Sequence, residues 1–429
     1  MSKKITIVGT GYVGIVAAAT FAEYGHTVTC LDVLKEKIDL LNDGECPIFE
    51  PNLLQLLTKN KERLTYTLDD EIAYKNSEII FIAVGTPERE DGSANLKYVY
   101  DTVNSISKYR KSAFIVMKST VPIGTNDKLV EYGKSLGADF DLISNPEFLS
   151  QGTAVDDMLR PARIVIGTET SVARDIMEEL YSPWNCPKVF TNRRSAEMVK
   201  YTANDFLALK ISYVNEIANL CEKLGANVLD VMQGIGYDDR IGSKFLNPGC
   251  GYGGSCFPKD TKALHWLAGF NDCELKTVKA AIDVNENQKL VLIKKARNYF
   301  DTFLGLNVAI LGLTFKPNTD DLREAPSLIN IRLLTDEGAN IKIFDPIATE
   351  LVKSKFPNVA ICKTPEDALK NADICFIFTE WAEIKAIPTD VFDVMNQKYV
   401  FDGRNCFDMK TMQNKGIHYF GVGVVSAYG

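Results

Sequence analysis

The stretch Lys4-Ile5-Thr6-Ile7-Val8-Gly9-Thr10-Gly11-Tyr12-Val13-Gly14 decides the fold of the first part of the chain. Residues 4–8 are β-branched and largely apolar, as befits a strand covered on both faces of a parallel sheet. Glycines at positions 9, 11 and 14 follow at once, and an alanine-rich segment over 13–25 reads as the helix that closes the unit. Such a turn brings backbone amides and a helix N-terminus close to a pyrophosphate. GxGxxG alone is a weak signal, but between a strand and a helix it predicts a dinucleotide site. A second strand, 27–31, ends in Asp32, about 20 residues past the glycines, where a carboxylate accepts the adenosine ribose hydroxyls and repels a 2′-phosphate. The expected cofactor is therefore NAD rather than NADP. The plain alternative for Asp32 is a solvated acid at a strand end.

Alternation of strand and helix continues through 78–84, a helix near 98–109, a strand at 113–117 and a helix near 124–136, which predicts a doubly wound sheet. Two strand ends carry polar loops, Gly85-Thr86-Pro87 and 118–125. Ligands bind at such carboxyl ends, so Thr86 and Thr120 are candidate contacts, while Thr125 reads as a helix cap. A later loop, 145–152, sets Glu147 between apolar neighbours, an environment expected to raise its pKa and suit it to proton transfer.

The chain has 429 residues, enough for two or three domains. Its net charge of −8 argues against nucleic acid or an acidic membrane surface as the main partner. Ten cysteines show no CxxC and no Cys/His metal spacing, so no metal is expected and most cysteines read as reduced core residues. The N-terminus runs straight into strand-like sequence, and no apolar run approaches a membrane span, which together predict a cytoplasmic protein.

Residues 249–254 hold four glycines in six positions, followed by Cys256, Pro258 and the helix-like run from Asp260. That glycine density suggests a backbone that approaches a ligand closely, and a thiol just before a helix N-terminus is favoured as thiolate. Cys256 is accordingly a candidate nucleophile, with a buried apolar cysteine in a shaped loop as the alternative. From about 195 to 223 the pattern is one long helix, with Ala196, Val199, Ala203, Leu207 and Ile211 as its apolar stripe. Lys200 and Asn204 share a face beside that stripe, either as a site wall or as an exposed pair. A second helical region over 261–300 completes a middle domain, and the long helix is a natural dimer surface.

Near 305 strand and helix return at 307–312, 326–338 and 341–345, with further strands at 374–378 and 399–401. Of the glycine fingerprint only Gly312 survives, and the turn carries Lys316 and Arg323 instead. This second Rossmann-like domain is expected to hold a different phosphorylated ligand, unless the two cations are merely surface charges. The expected architecture is α/β: an N-terminal NAD-binding Rossmann domain over 1–194, a helical central and dimerisation domain over 195–303, and a C-terminal Rossmann-like domain over 304–429.

The chain resembles the UDP-glucose 6-dehydrogenase family over essentially its whole length. The likeness rests on GxGxxG with Asp32, Gly85-Thr86-Pro87, the 119–125 loop, Asn145-Pro146-Glu147-Phe148-Leu149, Lys200 with Asn204, and the run from Arg240 through Phe245-Leu246-Asn247-Pro248-Gly249 to Cys256-Phe257-Pro258-Lys259-Asp260. The resemblance implies two NAD-dependent oxidations of a sugar alcohol carbon to the acid, with UDP-glucose as substrate and a homodimer or higher homo-oligomer as the assembly. It implies catalytic roles for Cys256, Lys200, Asn204, Asp260, Glu147 and Thr120: the thiol adds to an aldehyde, Lys200 and Asn204 stabilise oxyanions, Asp260 orients the network, and Thr120 and Glu147 position water and move protons. It implies NAD contacts from Gly9, Gly11, Val13, Gly14, Asp32, Lys37, Thr86, Thr120, Gln151, Lys259 and Arg323. Substrate contacts are implied for Phe148, Leu149, Lys200, Arg240, Phe245, Leu246, Gly249, Gly253, Lys316 and Arg404, with Arg240 reaching the sugar of a neighbouring subunit and Lys316 holding phosphate. Many relatives carry a glutamate where this chain has Gln151, which leaves Glu147 as the expected base. The competing readings are a sister enzyme acting on GDP-mannose or an N-acetylated UDP-sugar, and a non-catalytic NAD-sensing scaffold regulated by a Cys250–Cys256 disulfide.

Overall fold

The computed structural model describes residues 2–425. Met1 and residues 426–429, the end of the expected C-terminal domain, lie outside the described residues. The chain divides into two compact units, 1–203 and 204–429.

The first unit is built on eight strands: β1 (Lys4–Val8), β2 (Thr27–Leu31), β3 (Leu64–Thr67), β4 (Ile79–Ile82), β5 (Ser112–Met117), β6 (Asp139–Ser144), β7 (Ile164–Gly167) and β8 (Lys188–Thr191). They lie in the order β3-β2-β1-β4-β5-β6-β7-β8. The first six are parallel, whereas β7 pairs antiparallel with β6 and β8 runs parallel to β7. Central strands such as β1 and β4 are covered on both faces, because Ile5, Ile7, Ile79 and Phe81 join one apolar core and Val8, Ile80 and Ile82 the other. The strand order switches between β1 and β4, β1 having β2 on one side and β4 on the other, and doubly wound sheets bind ligands at such a switch.

The second unit carries six strands: β9 (Asn307–Leu311), β10 (Asn340–Phe344), β11 (Ala360–Ile361), β12 (Ile374–Ile377), β13 (Tyr399–Asp402) and β14 (His418–Phe420). Their order, β11-β10-β9-β12-β13-β14, repeats that of the first six strands of the other sheet, and every pairing is parallel. The helices ahead of this sheet share its core: Val214, Ala218, Val228 and Leu292 pack in one cluster with Val308, Ile310 and Phe376.

The helix Arg193–Leu224 buries a different face from the one its apolar pattern suggests. Val199, Ala203, Leu207 and Ile211 are only half-buried. Ala196 of the expected stripe is buried, and the buried face carries Glu197, Lys200, Asn204, Asp205, Ser212 and Asn215 among apolar residues such as Ala208, Val214 and Ala218. A helix that hides polar groups must supply each with a partner. Glu197 accepts from the amides of Gly124 and Asn126 at the start of the helix Thr125–Ser135. Ser212 donates to the carbonyl of Ala281, and Asn215 accepts from the amide of Gly249. Thr125, expected as a cap, is the first residue of its helix and its hydroxyl turns back to the carbonyl of Pro122; Gly124 occupies the cap position.

Gly14 marks the tightest point of the first unit, since a Cβ there would fall 1.8 Å from the carbonyl oxygen of Gly9. Gly11 has no heavy atom within 4 Å of the same construction. Gly14→Ala is therefore expected to destabilise the protein by about 3 kcal/mol, lowering the melting temperature by roughly 6–12 °C, whereas Gly11→Ala should leave it within about 1 °C. Differential scanning calorimetry of the full chain separates the two.

Candidate active site

The turn after β1 fits a dinucleotide. Gly11 is the N-cap of the helix Tyr12–Glu23 and offers no side-chain cap, so the first amides of that helix are left for an anion, and the space beside Gly11 is open. At the end of β2, the Asp32 carboxylate accepts from the amide and hydroxyl of Thr10, both at 2.7 Å, and from the amide of Leu34 at 3.0 Å, while the ammonium of Lys37 stands 3.9 Å away. Burial pushes this carboxyl up, but the hydrogen bonds and Lys37 more than offset it, and the net shift is downward. Asp32 is anionic, as discrimination against a 2′-phosphate requires.

At the ends of β4, β5 and β6 a second group assembles within the first unit. Thr86 is buried and donates to the carbonyl of Thr120 at 2.8 Å, tying the two polar loops together. Glu147 and Lys200 form an ion pair at 2.8 Å, with side chains 6% and 3% exposed, and Glu147 also accepts from the amide of Leu149. The expectation that Glu147 has a raised pKa is overturned. Burial does push it up, but the Lys200 ammonium, the Leu149 amide and Lys118 together draw it below the usual carboxylate range. The reading from the sequence saw apolar neighbours at 146 and 148 and could not see the cation brought by a helix some fifty positions on. Lys200 is correspondingly buried and not part of an exposed pair.

Lys118 is the residue that the sequence reading passed over. It is buried at the end of β5, donates to the side-chain oxygen of Asn145 at 3.0 Å, and burial draws its pKa down to about 8, with Glu147 opposing and Lys200 reinforcing the shift. Arg163 is a second such residue: its guanidinium lies 3.5 Å from the centroid of the Phe148 ring and fixes the loop that carries Glu147. Two buried ammonium groups around one carboxylate leave a net positive site, suited to an alkoxide or oxyanion.

In the second unit Cys256 is the N-cap of the helix Phe257–Phe270, with Pro258 in its first turn and no side chain capping it. Cys256 thus stands at the positive end of the helix dipole. Ser255 lies 3.7 Å from its sulfur, and Arg323 is close enough to interact with it electrostatically. One turn into the helix, Asp260 is fully buried; Asn204 donates to one of its oxygens at 2.6 Å and Lys259 pairs with the other. Residues 200 and 204, one turn apart on the long helix, thus meet a glutamate and an aspartate respectively.

The glycines before the thiol lie in close contact with neighbouring segments. A Cβ on Gly253 would fall 2.4 Å from the carbonyl oxygen of Glu324, and one on Gly254 would meet the ring of Phe315 at 2.8 Å. The amide of Gly249 donates to Asn215 and its carbonyl accepts from Gln288. Gly253 and Gly254 let the loop pack closely against Glu324 and Phe315 of the same unit. Arg404 braces the same region, donating to the carbonyls of Phe378 at 2.9 Å and Phe315 at 3.1 Å and pairing with Glu380. Arg323 forks onto Asp321, Leu246 is buried, and Phe245 is partly exposed with a left-handed backbone. Lys316 lies 5.6 Å from the ring of Phe315 at the end of β9. Arg240 is 89% exposed by side chain and holds only Asp238, and Gln151 is half-buried. Cys250 is a free, buried thiol directed at the carbonyl of Phe378.

Profiles of the UDP-glucose/GDP-mannose dehydrogenase family match residues 3–185 as its NAD binding domain, 194–287 as its central domain and 309–409 as its UDP binding domain. The chain is similar to a UDP-glucose 6-dehydrogenase of Bacillus subtilis, at 45% identity over 428 residues that span 98% of this chain and 97% of that protein. A UDP-glucose 6-dehydrogenase of Rhizobium meliloti is 43% identical over 433 residues, spanning 98% and 99%. Among solved structures, a UDP-glucose dehydrogenase of the hyperthermophilic archaeon Pyrobaculum islandicum matches with a TM-score of 0.92 at 34% identity, covering 100% of this chain and 98% of that one.

Removing the carboxylate at 147 would strand two buried ammonium groups. Glu147→Gln is expected to cost about 3–5 kcal/mol at neutral pH. Because the folded-state pKa of Glu147 is depressed, its contribution is present above the ordinary carboxylate range and is lost as pH falls through the folded value. Urea unfolding of wild type and variant should therefore diverge at neutral pH and converge in acid.

Proposed function

We propose that this chain, which belongs to the UDP-glucose/GDP-mannose dehydrogenase family, oxidises the C6 alcohol of UDP-glucose to the carboxylate of UDP-glucuronate in two NAD-dependent steps, with Cys256 as the nucleophile of the second. The observation that carries the proposal is a thiol at an uncapped helix N-terminus, beside a buried Asn204–Asp260–Lys259 network, in a chain that also has a dinucleotide turn. NAD supplies the hydride acceptor for both oxidations, held by the turn at Gly9–Gly14, by Asp32 and by the Thr86 and Thr120 loops.

The division of labour follows from charge. Lys200, with Lys118 behind it, stabilises the alkoxide that forms as the alcohol loses its proton. An aldehyde cannot give up a second hydride until a nucleophile adds to its carbonyl, and the Cys256 sulfur forms that bond. The resulting thiohemiacetal loses hydride to become a thioester, whose carbonyl oxygen takes hydrogen bonds from groups such as the Asn204 amide. Water then breaks the C–S bond, releasing the acid and returning the thiol. Gln151 is a neutral amide and cannot take the proton from that water, so Glu147 is the carboxylate of its loop that serves. Lys316 and Arg323, on the turn after β9, hold the substrate phosphates, and Asp260 keeps Asn204 in place.

The same reading assigns residues 1–194 to NAD, 195–303 to the helical centre and 304–429 to the uridine nucleotide, and sets the enzyme in the cytoplasm. No helix among the described residues is long and apolar enough to cross a membrane. We also assign the long helix to a homodimer. Phe206, Tyr213 and Leu220 recur every seven residues on it, 61%, 53% and 49% exposed, and Leu224 extends the stripe. Arg240, exposed and without an acid other than Asp238, is the group such a partner could receive at its sugar site.

With UDP-glucose limiting, about two NADH should form per sugar, and Cys256→Ala should abolish acid formation while leaving NAD affinity within roughly twofold. A plateau at one NADH in the wild type would remove the thiol chemistry. For the assembly, light scattering on Phe206→Glu/Tyr213→Glu should show about half the wild-type mass, since two charges cannot be buried unpaired in an apolar seam. An unchanged mass would move the interface elsewhere.

A further inference from the structure

Asp205 follows Asn204 on the long helix and is 5% exposed, yet neither of its carboxyl oxygens has a hydrogen-bond partner among the described residues. The charge that acts on it is Asp260, whose own oxygens are taken by Asn204 and Lys259. From the glycine loop the phenol of Tyr252 also feels Asp205, and Glu286 on the helix Lys276–Gln288 acts on the same phenol. Asp260 and Lys259 come from the helix Phe257–Phe270, and on its own helix Asn204 precedes it while the buried Tyr201 stands one turn before it. Burial and then the Asp260 charge push the Asp205 carboxyl up to about 8.

Two carboxylates sharing a dry site do not both ionise readily, so one of the pair keeps its proton. Asp260 is the one with partners and Asp205 the one without. An unpartnered buried acid is a cost to folding that an apolar residue of similar size would not impose. Positions where a chain breaks such a rule beside a reactive group are where a functional role is expected.

We infer that Asp205 is a positioning residue of the thiol site: in its neutral form it leaves Asp260 as the single anion that Asn204 and Lys259 share, and on ionising it competes for both and opposes a thiolate at Cys256. The inference rests on the thiol chemistry proposed above. Ionisation of Asp205 then turns the buried Asp260–Lys259 pair from neutral to net negative, at the helix end where the nucleophile must itself carry negative charge.

The test is the pH dependence of kcat with saturating UDP-glucose and NAD, for wild type, Asp205→Asn and Asp205→Ser. Wild-type kcat should fall on the alkaline side of about pH 8, and the ratio of kcat at pH 9 to that at pH 7 should be about tenfold higher in Asp205→Asn, whose amide cannot ionise. Infrared difference spectra of the resting enzyme, wild type minus Asp205→Asn, should show a protonated carboxyl band at pH 7 that is gone by pH 9. Melting supplies a third readout: a raised folded-state pKa means stability is lost as pH rises from the ordinary carboxylate range towards 8, so the variants should gain on the wild type over that range. An identical alkaline fall in Asp205→Asn and Asp205→Ser, or the absence of the band at pH 7, overturns the inference. A band that titrates as expected in an enzyme that forms only one NADH per sugar would remove the thiol reading, and the positioning role with it.

Discussion

Everything in the reactive part of the molecule depends on one constraint: the helix Arg193–Leu224 buries its polar face, and a buried polar group is tolerated only with a partner. Reading along the helix gives those partners in order. Glu197 closes the N-terminus of the helix Thr125–Ser135, Lys200 neutralises Glu147, Asn204 holds Asp260, Ser212 reaches a carbonyl and Asn215 pins Gly249. Gly124, Glu147, Asp260 and Gly249 lie on loops or first helical turns, whereas Ala281 lies within the helix Lys276–Gln288. Asp205 is the exception on this face, and the exception stands next to the nucleophile's network.

The two sheets share a strand order but not a ligand chemistry, and the difference is visible in two aspartates. Asp32 and Asp345 sit at the ends of β2 and β10, the same place in each sheet. Asp345 accepts from the amides of Leu313, Thr314, Ile347 and Ala348 and from the indole of Trp381. Its capacity is filled by the protein, leaving nothing to receive a ribose. Asp32 takes three internal donors and retains room for ligand hydroxyls. The loss of the glycines after β9 and the saturation of Asp345 are two signs of the same change: the turn that binds pyrophosphate in the first unit has become a packed corner in the second, and the cations Lys316 and Arg323 stand beside it.

Local signals carried most of the fold. The strand at 4–8, its glycine turn and Asp32 are consecutive in sequence, and their physics is set within thirty residues. The antiparallel addition of β7 and β8 was not legible, because a strand's direction is fixed by its partner and not by its own composition. Within the site, Cys256 at a helix cap could be read from Pro258 and the glycines, since capping is local. The partners of Lys200 and Asn204 could not, nor could the sign of the Glu147 shift, because each depends on a charge brought from more than fifty positions away. The apolar stripe on the long helix was legible only in part: Ala196 is buried, whereas Val199, Ala203, Leu207 and Ile211 are half-buried, because the face that is covered is set by partners distant in sequence.

The depressed pKa of Glu147 has a consequence for how the two chemistries are regulated by pH. A carboxylate held by Lys200 and Lys118 stays ionised at rest across the neutral range, so it is available as a proton acceptor throughout and its own titration does not set the pH dependence there. Titration near neutrality must then come from groups whose charged forms are disfavoured by burial. Lys118 in the first unit and Asp205 in the second are drawn to about 8 from opposite directions, the amine downward and the acid upward. As pH rises past that value one unit loses a positive charge and the other gains a negative one. Both changes disfavour an anion nearby, so the two proposed steps, an alkoxide beside Lys200 and a thiolate at Cys256, are expected to weaken together on the alkaline side.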